Sequence, residues 1–122
     1  MNAPNLVLLY VEDAVTSERF YRELFGFQPV EKSENFAMFA FDSGLLVGLW
    51  SKHEVKPVTQ LAGGGSELAI RVESEAELEA IYESWKERGI TIAQDITQMD
   101  FGLTFVALDP DHHRLRVYYA SY

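Results

Sequence analysis

Few side chains in this chain have the chemistry of a reaction centre. It holds three histidines and no cysteine, so neither a thiol nucleophile nor a cysteine metal site can form. His112 and His113 directly follow Asp109-Pro110-Asp111. Adjacent residues on an extended segment point to opposite sides, so neighbouring imidazoles rarely reach one metal ion. A surface-turn role is expected for both, against a ligand or general-base role. His53 lies in an irregular stretch and takes the same reading. No serine or threonine sits in a motif that would activate it as a nucleophile. What remains is Glu67, three arginines (Arg71, Arg114 and Arg116), and the rings of Tyr10, Trp50, Phe101 and Tyr118. Their use depends on the elements that carry them.

Leu6-Val7-Leu8-Leu9-Tyr10-Val11 is a short apolar run that predicts a buried strand. Asp13 is a fair N-cap, and Ser17, Phe20, Tyr21, Leu24 and Phe25 recur at helical spacing with one buried face. Gly26 ends that helix. Strands are predicted at about 28–32, 35–41 and 45–51, the last two joined by Asp42-Ser43-Gly44. From His53 to Gly65 the pattern lapses into a connector marked by Pro57 and Gly63-Gly64-Gly65. Then the order starts again. A strand is predicted at 67–72, and Ser74 with Glu77 forms a capping box. Leu78, Ile81, Tyr82 and Trp85 make a helical stripe closed by Gly89, and strands follow at about 91–97, 103–108 and 114–119.

Val11-Glu12-Asp13 and Val72-Glu73-Ser74 hold the same place in the two halves, 61 positions apart (72 − 11). The chain therefore reads as a tandem βαβββ repeat of α+β class. Module one runs from about 5 to 52, the connector from 53 to 65, and module two from about 66 to 122. A single module buries only one sheet face, so the two should complete each other or pair with a second chain. At 122 residues the chain suits one domain. Its net charge of −9 speaks against nucleic acid as a partner; it either attracts cations at long range or simply provides solubility. No apolar run approaches the roughly 20 residues of a membrane helix, and Met1-Asn2-Ala3-Pro4-Asn5 lacks a signal-peptide pattern, so a cytoplasmic location is expected.

The duplicated βαβββ unit, the helix signature Phe20-Tyr21-Arg22-Glu23-Leu24-Phe25-Gly26-Phe27 and the Asp109-Pro110-Asp111 turn resemble the vicinal oxygen chelate superfamily over essentially the whole chain. That superfamily includes glyoxalase I, extradiol dioxygenases and bleomycin-resistance proteins, and its fold hosts several chemistries. The resemblance implies a cupped mixed sheet and a homodimer with two pockets. In the family's metalloenzymes four concave-face side chains bind a divalent metal, and by position they fall here on Leu6, Gly48, Glu67 and Arg116. Leu6 and Gly48 have no ligand atoms, and Arg116 is a permanent cation. Glu67 alone is far short of a site. Neither a metal nor another cofactor is expected, and no catalytic residue is assigned. The turn also departs from the pattern, with His112 where the family usually has glycine.

If those four positions mark the concave face, strand alternation adds Leu8, Tyr10, Leu46, Trp50, Ala69, Arg71, Arg114 and Tyr118. Rings, small residues and a few charges suit a flat organic ligand. Leu45-Leu46-Val47-Gly48-Leu49-Trp50-Ser51 looks like the corresponding strand of antibiotic-binding members, phenazine binders among them, in which a tryptophan stacks on the drug. Gly48 is expected to leave space beside Trp50. Two roles are open to Trp50, stacking plate or half-buried strand residue, and Tyr10 and Tyr118 divide likewise between pocket wall and core. Phe101 is either a lid over the pocket or a core residue, with Gly102 allowing close backbone approach. Glu67 and Arg116 are expected to form an ion pair where the metal would sit. The expected ligand set is thus Tyr10, Gly48, Trp50, Glu67, Phe101, Arg116 and Tyr118, around a small aromatic molecule such as an antibiotic. The other readings are a glyoxalase-like metal-dependent lyase, isomerase or thiol transferase with displaced ligands, and a partner-binding module with no small ligand.

Overall fold

The computed structural model describes residues 2–60 and 63–121. It divides into two compact units, Met1–Gly63 and Gly64–Tyr122, so the break falls within the predicted glycine-rich connector. Leu61 and Ala62 of that connector, and the terminal residues Met1 and Tyr122, lie outside the described residues. No helix among the described residues is long and apolar enough to cross a membrane.

The first unit contains β1 (Leu6–Val11), α1 (Ala14–Phe25), β2 (Glu31–Lys32), β3 (Phe36–Ala40) and β4 (Leu46–Ser51). Its sheet has the order β1-β4-β3-β2, with β1 parallel to β4 and the other neighbours antiparallel. Asp13 caps α1 by accepting the Val15 N–H, and Gly26 ends it at φ +80° with its N–H on the Arg22 carbonyl. The predicted strand at 28–32 is cut to two residues. Pro29 has no N–H to give a ladder, so pairing begins only beyond it. The connector is also more ordered than expected, since Lys52–Glu54 form a 3-10 turn and Val55 is buried.

The covered face of this sheet carries Leu9, Val11, Ala37, Phe39, Val47 and Leu49, all buried. The Phe25 ring of α1 meets Phe39 edge-on at 5.8 Å. Each large apolar side chain sealed here contributes about 1.5–3 kcal/mol. The Ala14 N–H donates to the Ser51 hydroxyl at 3.1 Å, tying the start of α1 to the end of β4.

One residue of α1 departs from its apolar stripe. Glu18 is buried and accepts from Arg22 at 2.7 Å and Lys32 at 3.2 Å. Burial pushes its carboxyl upward, but the bonds from Arg22 and Lys32 outweigh that and hold it below the usual carboxylate range. A lowered folded-state pKa means the stabilisation is present above the unfolded pKa and lost as pH falls through the folded value. Arg22→Met leaves Glu18 with Lys32 alone, so a drop of about 5 °C in Tm is expected at neutral pH. That deficit should shrink on acidification, because protonated Glu18 needs no cation. Thermal melts across pH check this; a pH-independent deficit would disconnect it from the Glu18 charge.

The second unit repeats the order with β5 (Glu67–Arg71), α2 (Glu75–Glu87), β6 (Ile92–Met99), β7 (Gly102–Leu108) and β8 (Arg114–Ala120). Its sheet runs β5-β8-β7-β6, with β5 parallel to β8. The capping box forms with one shift. The Ser74 hydroxyl accepts the Glu77 N–H as predicted, while the Glu77 carboxylate reaches the Glu73 N–H, one residue before the cap. Tyr82 and Trp85 of α2 pack edge-on against Phe105 at 5.2 and 5.5 Å. β6 runs two residues further than predicted, with register breaks between Ile92 and Gln94 and between Gln94 and Thr97.

The β7–β8 turn corrects the histidine expectation. His112 is exposed and takes φ +67°, the left-handed region that favours glycine. His113 is buried, because it keeps phase with Leu115 and Val117 on the covered side of β8.

Candidate functional site

In the first unit the register places Leu6 beside Leu46, Leu8 beside Gly48 and Tyr10 beside Trp50. These alternate with the buried residues that face α1, so they lie on the open side of the sheet as the alternation predicts. Tyr10 and Trp50 meet edge-on at 6.3 Å, and both are half-buried. β3 adds two residues that alternation along β1 and β4 alone did not supply, Phe36 opposite Trp50 and Met38 opposite Gly48. On β1, β3 and β4 this face carries no charged side chain; Glu31, opposite Met38 on the short β2, stands at its margin. Leu6 and Leu8 each remain 40% exposed, a large apolar opening for one sheet face.

Gly48 does not leave the space expected beside Trp50. A Cβ there would lie 2.8 Å from Leu8 Cδ2 and 3.1 Å from the Phe36 ring. The missing side chain is thus filled by two others, which lie down over the glycine. Gly48 seats the floor of the face rather than opening a cavity in it.

The open face of the second unit is polar. Glu67 pairs in register with Arg114, Ala69 with Arg116 and Arg71 with Tyr118, while Val106 and Thr104 of β7 stand beside Arg116 and Tyr118. The expected ion pair is present and two-pronged. Arg116 donates from Nε to Glu67 Oε1 at 2.7 Å and from Nη2 to Oε2 at 2.9 Å. Its Nη1 reaches the Thr104 hydroxyl at 3.2 Å and Gln94 Oε1 at 3.3 Å. The Arg116 bonds hold the Glu67 carboxyl below its usual range, against the upward push of burial and with help from Arg114.

Phe101 sits in the β6–β7 turn and folds onto its own sheet. Its ring meets Tyr118 edge-on at 6.1 Å and lies 5.7 Å from the Arg116 guanidinium, within cation–π range. Gly102 does permit a close backbone approach, but the partner is the chain itself. At φ +140° its α-carbon faces the Tyr119 carbonyl, with Ser121 N 3.0 Å from where a Cβ would lie.

Neither unit offers a ligand set at the positions where the family resemblance implies a metal centre. Leu6 offers hydrocarbon, Gly48 has no side chain, and Arg116 is a fixed cation that occupies both oxygens of Glu67. These residues do not fit a metal ion at those positions. Among the described residues, no group of three or more His, Asp or Glu side chains is arranged to hold one. His53 is engaged as well, with Nε2 2.9 Å from Glu12 Oε1 while Lys52 holds the other Glu12 oxygen.

Comparison with known proteins agrees with this architecture. A model of the Glyoxalase/Bleomycin resistance protein/Dioxygenase superfamily matches residues 3–117. The phenazine antibiotic resistance protein EhpR of Enterobacter agglomerans is 31% identical over 118 residues, covering 93% of this chain and 89% of that protein. The solution structure of protein ATC0852 from Agrobacterium tumefaciens is 43% identical and superimposes with a TM-score of 0.91 over all of both chains. A glyoxalase-related enzyme from Fulvimarina pelagi, 22% identical, superimposes at 0.85 over 98% of this chain and 88% of that one, which shows the fold alone.

Proposed function

Because this chain belongs to the Glyoxalase/Bleomycin resistance protein/Dioxygenase superfamily, we propose that it is a non-metal small-molecule binding protein that sequesters a planar aromatic compound such as an antibiotic. The observation that carries this reading is the open face of the first sheet. Tyr10, Phe36 and Trp50 present half-buried rings there among Leu6, Leu8 and Met38, with no charge on the three strands that bear them. Such a surface gains by covering a flat apolar ring and offers nothing to stabilise a charged transition state. The 31% identity to a phenazine antibiotic resistance protein supports the same class of ligand. We take the active form to be a homodimer, as the family resemblance implies, located in the cytoplasm. The lyase, isomerase or transferase reading would draw on Glu67 as a ligand, and Arg116 already engages both of its oxygens.

The chain has two tryptophans, and Trp85 is buried in the second unit, so Trp85→Phe leaves Trp50 as the sole reporter. Phenazine titrated into metal-stripped protein should quench Trp50 fluorescence. Trp50→Ala should weaken phenazine binding about tenfold or more by calorimetry. Divalent metals added in parallel should change nothing. A tight metal response without any response to phenazine would overturn the reading.

A further inference from the structure

The repeat sets equivalent residues at equivalent register. Tyr10 lies beside Trp50 in the first unit, and 61 positions on (10 + 61 = 71) Arg71 lies beside Tyr118 in the second. Where the first copy sets ring against ring, the second replaces one ring with a guanidinium. The open face of the second sheet carries three arginines against the single carboxylate of Glu67, in a chain whose net charge is −9. A local excess of positive charge on so acidic a protein is a feature that solubility does not require.

The three arginines are not equivalent. Arg116 has both Glu67 oxygens, Thr104 and Gln94 as acceptors and Phe101 against it, so few of its donors are left for a ligand. Arg114 stands 3.9 Å from Glu67, at the far limit of an ion pair. Arg71 is exposed and forms no ion pair among the described residues. Its neighbour Tyr118 is half-buried and braced by the Phe101 ring.

We infer that Arg71 is the anion-recognising residue of this face, and that the compound held there is a planar aromatic acid, its ring against Tyr118 and Phe101 and its carboxylate on Arg71. This rests on the aromatic-binder reading for the ligand's class and assigns, besides the Trp50 face of the first unit, a second site on the open face of the second unit. Glu67 serves to neutralise Arg116, and of the two remaining arginines it is Arg71, paired in register with Tyr118, that selects the acid. A guanidinium can grip a carboxylate with two parallel bonds, and a carboxamide of the same shape lacks the charge.

The test compares phenazine-1-carboxylate with phenazine-1-carboxamide by calorimetry at low salt, on wild-type protein and Arg71→Gln. The wild type should prefer the carboxylate about tenfold, the scale of a charged hydrogen bond on a partly open surface. Arg71→Gln should erase that preference through a loss of carboxylate affinity, and added salt should narrow the wild-type preference. Equal wild-type affinity for the two probes, or a preference that survives Arg71→Gln, would overturn the assignment while leaving the binder reading intact. Absence of binding by both probes, and by unsubstituted phenazine, would remove the binder reading and the assignment with it.

Discussion

Gly102→Ala should cost at least about 3 kcal/mol of folding stability, whereas Gly26→Ala should cost only about 1 kcal/mol. Both glycines have positive φ, +80° at Gly26 and +140° at Gly102. The difference lies in what a methyl group would meet. At Gly26 nothing stands within 4 Å, so the cost is only that of the left-handed conformation. At Gly102 the methyl would strike the Tyr119 carbonyl, with the Tyr119 carbonyl carbon and the Ser121 nitrogen both 3.0 Å away. All three are backbone atoms, and no rotamer change can move them. Relief requires β7 to separate from β8 where Gly102 pairs with Ala120. That shift would also carry Phe101 away from Tyr118 and Arg116, so ligand binding should fall with stability. Urea unfolding of the two variants checks the contrast, and equal costs would show that the strand pair yields more readily than the close approach suggests.

The elements of this chain were legible where one local rule governs them. The caps at Asp13, Gly26 and Ser74 and the stripe Leu78, Tyr82, Trp85 stand as predicted, because capping and helical periodicity need only neighbouring residues. Strand alternation then placed Tyr10, Trp50, Arg71 and Tyr118 on the open faces. The Glu67–Arg116 pair followed from position within a resembling family. What escaped was cross-strand information. Phe36, Met38, Thr104 and Gln94 join these faces only through the registers of β3, β6 and β7, and a register is a relation between strands that no single segment records. Gly48 misled for the same reason, since the atoms that fill its space come from Leu8 and Phe36 on other strands. His113 was legible in principle. Its phase with Leu115 and Val117 already marks the covered side, but the polar turn before it masked that signal.

The two copies of the repeat differ in opposite ways at the positions where the family resemblance implies a metal centre. In the first, neither position has a polar side-chain atom, Leu6 being hydrocarbon and Gly48 having no side chain, and the rings of Tyr10, Phe36 and Trp50 share their face. In the second, both positions are charged but self-sufficient, because Arg116 and Glu67 satisfy each other. Partly open ion pairs of this kind add little to stability. Their effect is to remove Glu67 as a free ligand while leaving the cationic character of the face to Arg71 and Arg114.

Asp109→Ala should lower stability by about 2–3 kcal/mol, and Asp109→Asn by less than about 1 kcal/mol. Asp109 is buried, and its Oδ1 accepts the N–H groups of Asp111 at 2.8 Å and His113 at 2.9 Å. Its own N–H donates to the His113 carbonyl, and its carbonyl accepts the His112 N–H, both at 3.0 Å. Alanine strands two backbone donors in a closed turn that water cannot enter at His113, whereas asparagine keeps an oxygen where Oδ1 stands. The loss should spread beyond the turn. His112 holds φ +67° only while these bonds oppose its strain, and the same turn sets the pairing of Leu108 with Arg114, from which Arg116 and Tyr118 take their places. Asp109→Ala should therefore weaken binding of an aromatic acid although Asp109 touches no ligand, and Asp109→Asn should bind as wild type. Urea unfolding with an unchanged m-value, read beside calorimetric affinity, checks both effects. A mild Asp109→Ala, no worse than Asp109→Asn, would mean that the turn is held by its backbone bonds and not by the carboxylate.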